Sequence, residues 1–190
     1  LKKPEQLLQQ CRLFFFSMLR HLTLSLALIA LLSLTAFAQG AESKRALPVV
    51  PVKDLKGKTY NTKDIINPNG PTIISFWATW CKPCIAELNA IHEVYKDWQK
   101  ETGVKLIAMS IDDSRNTSKV GPLVNGKGWK YDVFLDENAD LKRALNVTNI
   151  PHTFLLNKAG EIVWQHNSYA PGDEEELFEK VKALSKAQQQ

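Results

Sequence analysis

Apolar and polar residues follow two rhythms along this chain, and the switches between them mark its elements. Residues 72–76 (TIISF) are a short apolar run rich in β-branched side chains, the pattern of a buried strand. From 83 to 100 the rhythm changes. Ile85, Leu88, Ile91, Tyr95 and Trp98 recur at spacings of three and four, one face of an amphipathic helix. Gly103 ends it. Residues 104–111 (VKLIAMSI) predict a second buried strand, and 112–116 a polar loop in which Asp112 and Asp113 form a solvated strand end. Residues 116–128 are weakly helical around Gly121-Pro122, 131–135 predict a short strand and 138–145 a short helix. Two further strands, 152–156 and 161–166, are joined by the hairpin turn Asn157-Lys158-Ala159-Gly160. Asp173 caps a last helix, with Glu174, Glu175 and Glu176 at its positive end and Lys180, Lys182 and Lys186 toward its negative end. Upstream, 51–61 (PVKDLKGKTYN) read as a hairpin around Lys56-Gly57, and Asn67-Pro68-Asn69-Gly70 as a turn.

The predicted order is β-hairpin, β, α, β, α, β, α, β, β, α. An early strand–helix–strand unit implies a right-handed parallel crossover. The late hairpin adds an antiparallel pair. The sum is an α/β fold with a mixed central sheet and helices on both faces.

Composition changes the picture at the N-terminus. The chain has 190 residues, 44% hydrophobic and 23% charged, which excludes wholesale disorder and collagen-like fibre. That length predicts one domain with an appendage. The net charge of +4 is uneven: Lys2, Lys3, Arg12 and Arg20 face only Glu5 within residues 1–38. The near-balanced remainder carries no basic stripe, so nucleic acid is not an expected partner. Residues 22–38 (LTLSLALIALLSLTAFA) lack any charge, follow Arg20 and end in Ala36-Phe37-Ala38. Basic, apolar and small-residue regions in that order make a secretory signal peptide, with Met18 the expected true start. The run is short of the about 20 residues that span a bilayer. An uncleaved anchor through 22–38 is the alternative. The expected organisation is a leader at 1–38, a linker at 39–50, one domain at 51–187 and a tail at 188–190.

The leader changes the cysteine arithmetic. Cys11 lies before the expected cleavage, so the mature chain keeps only Cys81 and Cys84, a single Cys-x-x-Cys. An exported protein works where disulfides persist. A bridge closing so short a loop adds little stability, which favours redox chemistry or metal binding for the pair. The cysteines follow a buried strand and open a helix, whose free N–H groups and dipole favour a thiolate on the first of them. Lys82 adds positive charge, and Pro83 suits a first turn that needs no N–H there. Cys84, one turn in, is the more sheltered.

With Phe76-Trp77-Ala78-Thr79-Trp80-Cys81-Lys82-Pro83-Cys84, Ile150-Pro151-His152-Thr153-Phe154 and the export signal, the chain resembles the thioredoxin superfamily. It resembles more closely its exported thiol–disulfide oxidoreductases of the TlpA/ResA type. The resemblance covers roughly residues 49–184. It implies a thioredoxin-like three-layer fold with an N-terminal β-hairpin extension, Cys81 as attacking cysteine and Cys84 as resolving cysteine. Pro151 matches the family's cis-proline; without the resemblance it reads as a trans proline entering an edge strand. Ile150 would pair its backbone with an extended substrate segment. Glu87 matches a family Glu suited to exchange a proton with the resolving thiol, while Ser75 stands where the general thioredoxin pattern has Asp; the plainer reading of Glu87 is an exposed helix carboxylate. His152 replaces the more common Thr and is either a tuning group or a solvated rim imidazole. Trp80 is expected to shield Cys81 and contact partners, and Trp77 to pack beneath. The expected substrate-contacting set is Trp80, Lys82, Pro83, Ile150, Pro151 and His152. His92 with two cysteines falls short of four ligands, so neither metal nor cofactor is expected.

The implied function is an exported, periplasmic oxidoreductase reducing disulfides of exported proteins such as apocytochrome c, re-reduced by a membrane-embedded thiol donor, with a soluble monomeric mature domain. A partner-binding module without turnover and a thiol peroxidase are the alternatives. The Thr-x-x-Cys of peroxiredoxins is missing, since Ala78 stands three before Cys81.

Overall fold

The structure is a computed structural model that describes residues 45–189. Its strands are β1 (Pro51–Asp54), β2 (Thr59–Asn61), β3 (Thr72–Trp77), β4 (Lys105–Ser110), β5 (Asp132–Leu135), β6 (His152–Leu156) and β7 (Ile162–Asn167). Its helices are α1 (Thr62–Ile65), α2 (Lys82–Thr102), α3 (Val120–Lys127), preceded by a 3₁₀ turn (Thr117–Lys119), α4 (Asp140–Ala144) and α5 (Asp173–Gln189). The strands form one seven-stranded sheet in the order β2-β1-β5-β4-β3-β6-β7. β3 and β4 run parallel, as do β4 and β5. The β1–β2, β1–β5, β3–β6 and β6–β7 pairs are antiparallel.

Side-chain alternation along β3 divides the interior in two. Ile73 and Trp77 share one core with Leu88, Ile91, Tyr95 and Trp98 of α2, Val124 of α3 and Val181 of α5. Ile74 and Phe76 point the other way, to Ile65 of α1, Leu141 of α4 and Phe154 of β6. Helices therefore cover both faces, and every residue of β3 is buried. Each large apolar side chain fully buried in this way contributes about 1.5–3 kcal/mol. The α2 stripe supplies several such anchors, and Trp98 also stacks on Phe178 of α5 at 4.7 Å. Gly103 stops α2 at φ 68°, donating its N–H to the Gln99 carbonyl at 2.8 Å.

Four local expectations change. Residues 45–50, read as linker, are docked: Leu47 donates to the Gly160 carbonyl and Ile162 to the Arg45 carbonyl, each at 2.8 Å. Helix α1 follows β2 directly and was not foreseen, because four residues are too few to show a period. Asp173 is the first residue of α5, and its carboxylate reaches back to the Ala170 N–H at 2.7 Å. Helix α5 also runs on through Gln189, into the expected tail. The leader, Met18, Cys11 and the start of the linker lie outside the described residues. Among the described residues, no helix is long and apolar enough to cross a membrane.

Asp136 accepts from the Leu141 and Lys142 N–H groups at 3.1 and 2.8 Å, closing the start of α4. Ala139, between them, is forced to φ 56°. A Cβ is disfavoured in that left-handed conformation, and glycine is the better residue both there and before a helix. Ala139→Gly should raise stability by roughly 0.5–1 kcal/mol, read as a higher urea midpoint with unchanged slope.

Candidate active site

β3 ends at Trp77, and the chain turns over Ala78, Thr79 and Trp80 into α2. That turn is tied down by Asp112, just past the end of β4. Asp112 is 1% exposed and accepts from the Thr79 N–H at 2.9 Å, the Thr79 hydroxyl at 2.7 Å and the Ser110 hydroxyl at 2.9 Å. The expectation of a solvated strand end is thus wrong for Asp112. The loop amides needed an acceptor, and a short carboxylate at a neighbouring strand end supplies one.

Cys81 is the N-cap of α2 and is disulfide-bonded to Cys84, with Cα atoms 5.3 Å apart. Its Sγ accepts from the Cys84 N–H at 3.3 Å, so one otherwise unpaired helix-terminal donor points at sulfur. Cys84 is fully buried, whereas Cys81 is 6% exposed. Across the site the Ile150–Pro151 peptide is cis. The Ile150 carbonyl oxygen lies 3.9 Å from Cys81 Sγ. Trp80, at 64% exposure, projects beside the pair, Lys82 and Pro83 are exposed, and Trp77 is buried beneath, edge-on to Trp129 at 5.1 Å.

Glu87 lies one turn after Cys84 and is 4% exposed, so it is not an exposed helix carboxylate. Its position follows from register. Ser75 of β3 pairs with Thr153 of β6, which puts both hydroxyls on the sheet face beneath α2. Ser75 donates to one Glu87 carboxylate oxygen at 2.9 Å and Thr153 to the other at 2.7 Å. Burial pushes the Glu87 pKa up to about 7, against the pull of these two hydrogen bonds. Ser75, noted in the sequence only for not being Asp, is half of a carboxylate clamp.

His152 belongs to the other face. Its ring stacks on Phe154 at 4.4 Å, and Nε2 lies 3.3 Å from Gln165 Oε1. Burial lowers its pKa. The structure thus brings Cys81, Cys84, Ile150 and Pro151 together, with Glu87 beneath, and sets His152 apart from that carboxylate by the thickness of the sheet. His92 stands edge-on to Tyr131 at 6.1 Å. Among the described residues, no group of three or more His, Cys, Asp or Glu is placed to hold a metal ion. Asp112, Thr79 and Thr153 were missed as site residues. A polar residue at a strand end reads alike whether it faces water or a loop amide.

The AhpC/TSA family profile matches residues 44–165, most of the chain. The chain belongs to this family. Relatives it matches are named thiol–disulfide oxidoreductases. Sporulation thiol-disulfide oxidoreductase A of Bacillus subtilis (strain 168) is 34% identical over 146 residues, covering 75% of this chain and 86% of that protein. Thiol-disulfide oxidoreductase ResA of Bacillus anthracis is 35% identical over 118 residues, which is 62% of this chain but only 65% of the relative's length. The solution structure of a thioredoxin-like protein from Porphyromonas gingivalis is 52% identical with a TM-score of 0.67, covering 76% of this chain and 95% of that one. The fold of this AhpC/TSA-family protein is thioredoxin-like.

Glu87 links its site to stability. Folded, it keeps its proton up to about pH 7, against an ordinary value of 4.5. The folded state therefore binds more protons than the unfolded state between those values, and stability falls as pH rises through that window. The loss is roughly 3 kcal/mol at about 1.4 kcal/mol per unit. Glu87→Gln removes the titration while keeping the shape. In urea titrations of the oxidised protein, the variant should be clearly more stable than wild type at pH 8 and nearly equal to it at pH 5. An equal gap at both pH values would refute the assignment.

Proposed function

We propose that this AhpC/TSA-family protein is an exported thiol–disulfide oxidoreductase that reduces disulfides of other exported proteins, apocytochrome c among them. A membrane-embedded thiol donor returns it to the dithiol form. The observation that carries the reading is the asymmetry of the cysteine pair. Cys81 sits at the helix N-terminus and keeps 6% exposure, and Cys84 is fully buried behind it. The apolar leader read at residues 22–38 supports export.

In the reducing direction the Cys81 thiolate attacks one sulfur of the substrate disulfide, and the other sulfur leaves as a thiolate. Cys84 gives its proton to Glu87 and attacks Cys81 Sγ. The mixed disulfide breaks, the second substrate sulfur leaves, and the Cys81–Cys84 bond carries away the two oxidising equivalents. Glu87 suits the proton step because its pKa of about 7 is near working pH. Trp80 offers an apolar face to the partner, with Lys82 and Pro83 on the same rim. The Ile150 carbonyl beside Cys81 suits main-chain pairing with an extended substrate segment. Direction depends on potential, where about 30 mV is worth about 1.4 kcal/mol; the family resemblance favours reductant. Ala78, buried ahead of Cys81, offers no hydroxyl to a peroxide, which weighs against a peroxidase.

Cys84→Ser should accumulate mixed disulfides with exported proteins in cells, and peptide mapping should find them on Cys81. Cys81→Ser should trap none. Adducts on Cys84 instead would reverse the two roles. Cys81-dependent peroxide consumption without trapped protein would mark a peroxidase, and partner binding unchanged in Cys81→Ser would mark a binding module.

A further inference from the structure

A buried acid that takes a proton in every cycle needs a way to return it to water. Glu87 is closed on both oxygens, by Ser75 and Thr153. Ser75 is fully buried in the central strand, so that side leads nowhere. Thr153 stands next to a second titratable side chain. In the β6–β7 ladder Thr153 is the direct register partner of His166. Directly opposed residues of an antiparallel pair project from the same face, with Cβ atoms about 4.5–5.5 Å apart. His166 therefore shares the α2 face with Thr153. Its ring lies flat along Trp164 at 5.8 Å, and Trp164 packs on the same core as α2. The side chain is 35% exposed, so it also reaches solvent. Its Nε2 is shielded, has no hydrogen-bond partner among the described residues, and lies 3.4 Å from the Asp173 carboxylate at the start of α5.

We propose that His166 is the outlet through which Glu87 exchanges its proton with solvent, by way of the Thr153 hydroxyl, with Asp173 steadying the imidazolium that forms. This rests on the oxidoreductase reading above and assigns the route of its proton. When Cys84 attacks Cys81, the thiol proton goes to Glu87. A protonated Glu87 turns the Thr153 hydroxyl from donor to acceptor and frees its hydrogen for an imidazole nitrogen. His166 then gives a proton to water. No electrons move in this relay. Other titratable groups facing the cluster are Tyr131 ahead of β5, Tyr169 between β7 and α5, and Glu174 on α5. His152 cannot substitute, since it lies with Phe154 on the opposite sheet face. Tyr169 donates its hydroxyl to Glu174 at 2.9 Å.

The test follows one turnover of the reduced full chain with an aromatic disulfide whose thiolate absorbs visibly. The second thiolate released reports the Cys84 step. In weak buffer, His166→Ala and His166→Gln should each slow that step about tenfold, less than the about hundredfold or more that a direct general acid–base group supplies, because His166 acts through Glu87. The slowing should be confined to the pH limb that Glu87→Gln abolishes. Added imidazole should restore His166→Ala in proportion to its concentration and leave wild type unchanged. Wild-type rates in both variants, or a loss that imidazole does not repair, would overturn the outlet while leaving the role of Glu87 intact. A Cys84 step that Glu87→Gln leaves unaltered would instead overturn the reading on which the outlet rests.

Discussion

Helix α2 is pressed onto the central strand by Leu88, Ile91, Tyr95 and Trp98, and nearly everything at the site follows from that contact. The stripe fixes where the helix begins. Its first free N–H groups then meet Cys81, because the chain has just left β3 through a short turn. It also fixes which way the second turn faces. Cys84 and Glu87 lie on the same side as the stripe, so both are driven into the interior. A carboxyl group is carried inward because its helix has apolar reasons to lie there.

Burying an acid is costly unless its oxygens are satisfied. The protein meets that cost with two hydroxyls, and among the described residues no lysine or arginine is paired with the carboxylate. The choice matters chemically. A lysine or arginine would hold Glu87 ionised, whereas a hydroxyl can donate to a carboxylate or accept from a carboxylic acid. Ser75 and Thr153 can thus serve both protonation states, as the proton exchange proposed for Glu87 requires. Asp112 is the contrasting case. It receives an N–H and two hydroxyls and works as a fastener for the turn that presents Trp80 and Cys81.

The elements were readable from the chain because their signals are local. The α2 stripe, the β-branched runs of β3 and β4, and the Asn157–Gly160 turn each lie within a few residues. What escaped reading depends on partners far apart in sequence. Residues 45–50 look like linker until the Glu161 end of β7 is beside them. Asp112 looks solvated until the Thr79 loop arrives over it. His152 looks adjacent to the cysteines through the Pro151 motif, yet strand alternation sends its ring to the far face. His166 carries no motif and gains interest only when the β6–β7 register sets it opposite Thr153.

Local chemistry therefore determined the helix, the cysteine pair at its start, and an α/β order of elements, because periodicity and dipole act over a turn or two. Tertiary structure alone decided which carboxylates are buried, which hydroxyls hold them and which histidine shares their face. The hydroxyls on Glu87 and the histidine beside them depend on strand register, and a shift of one residue would reverse both.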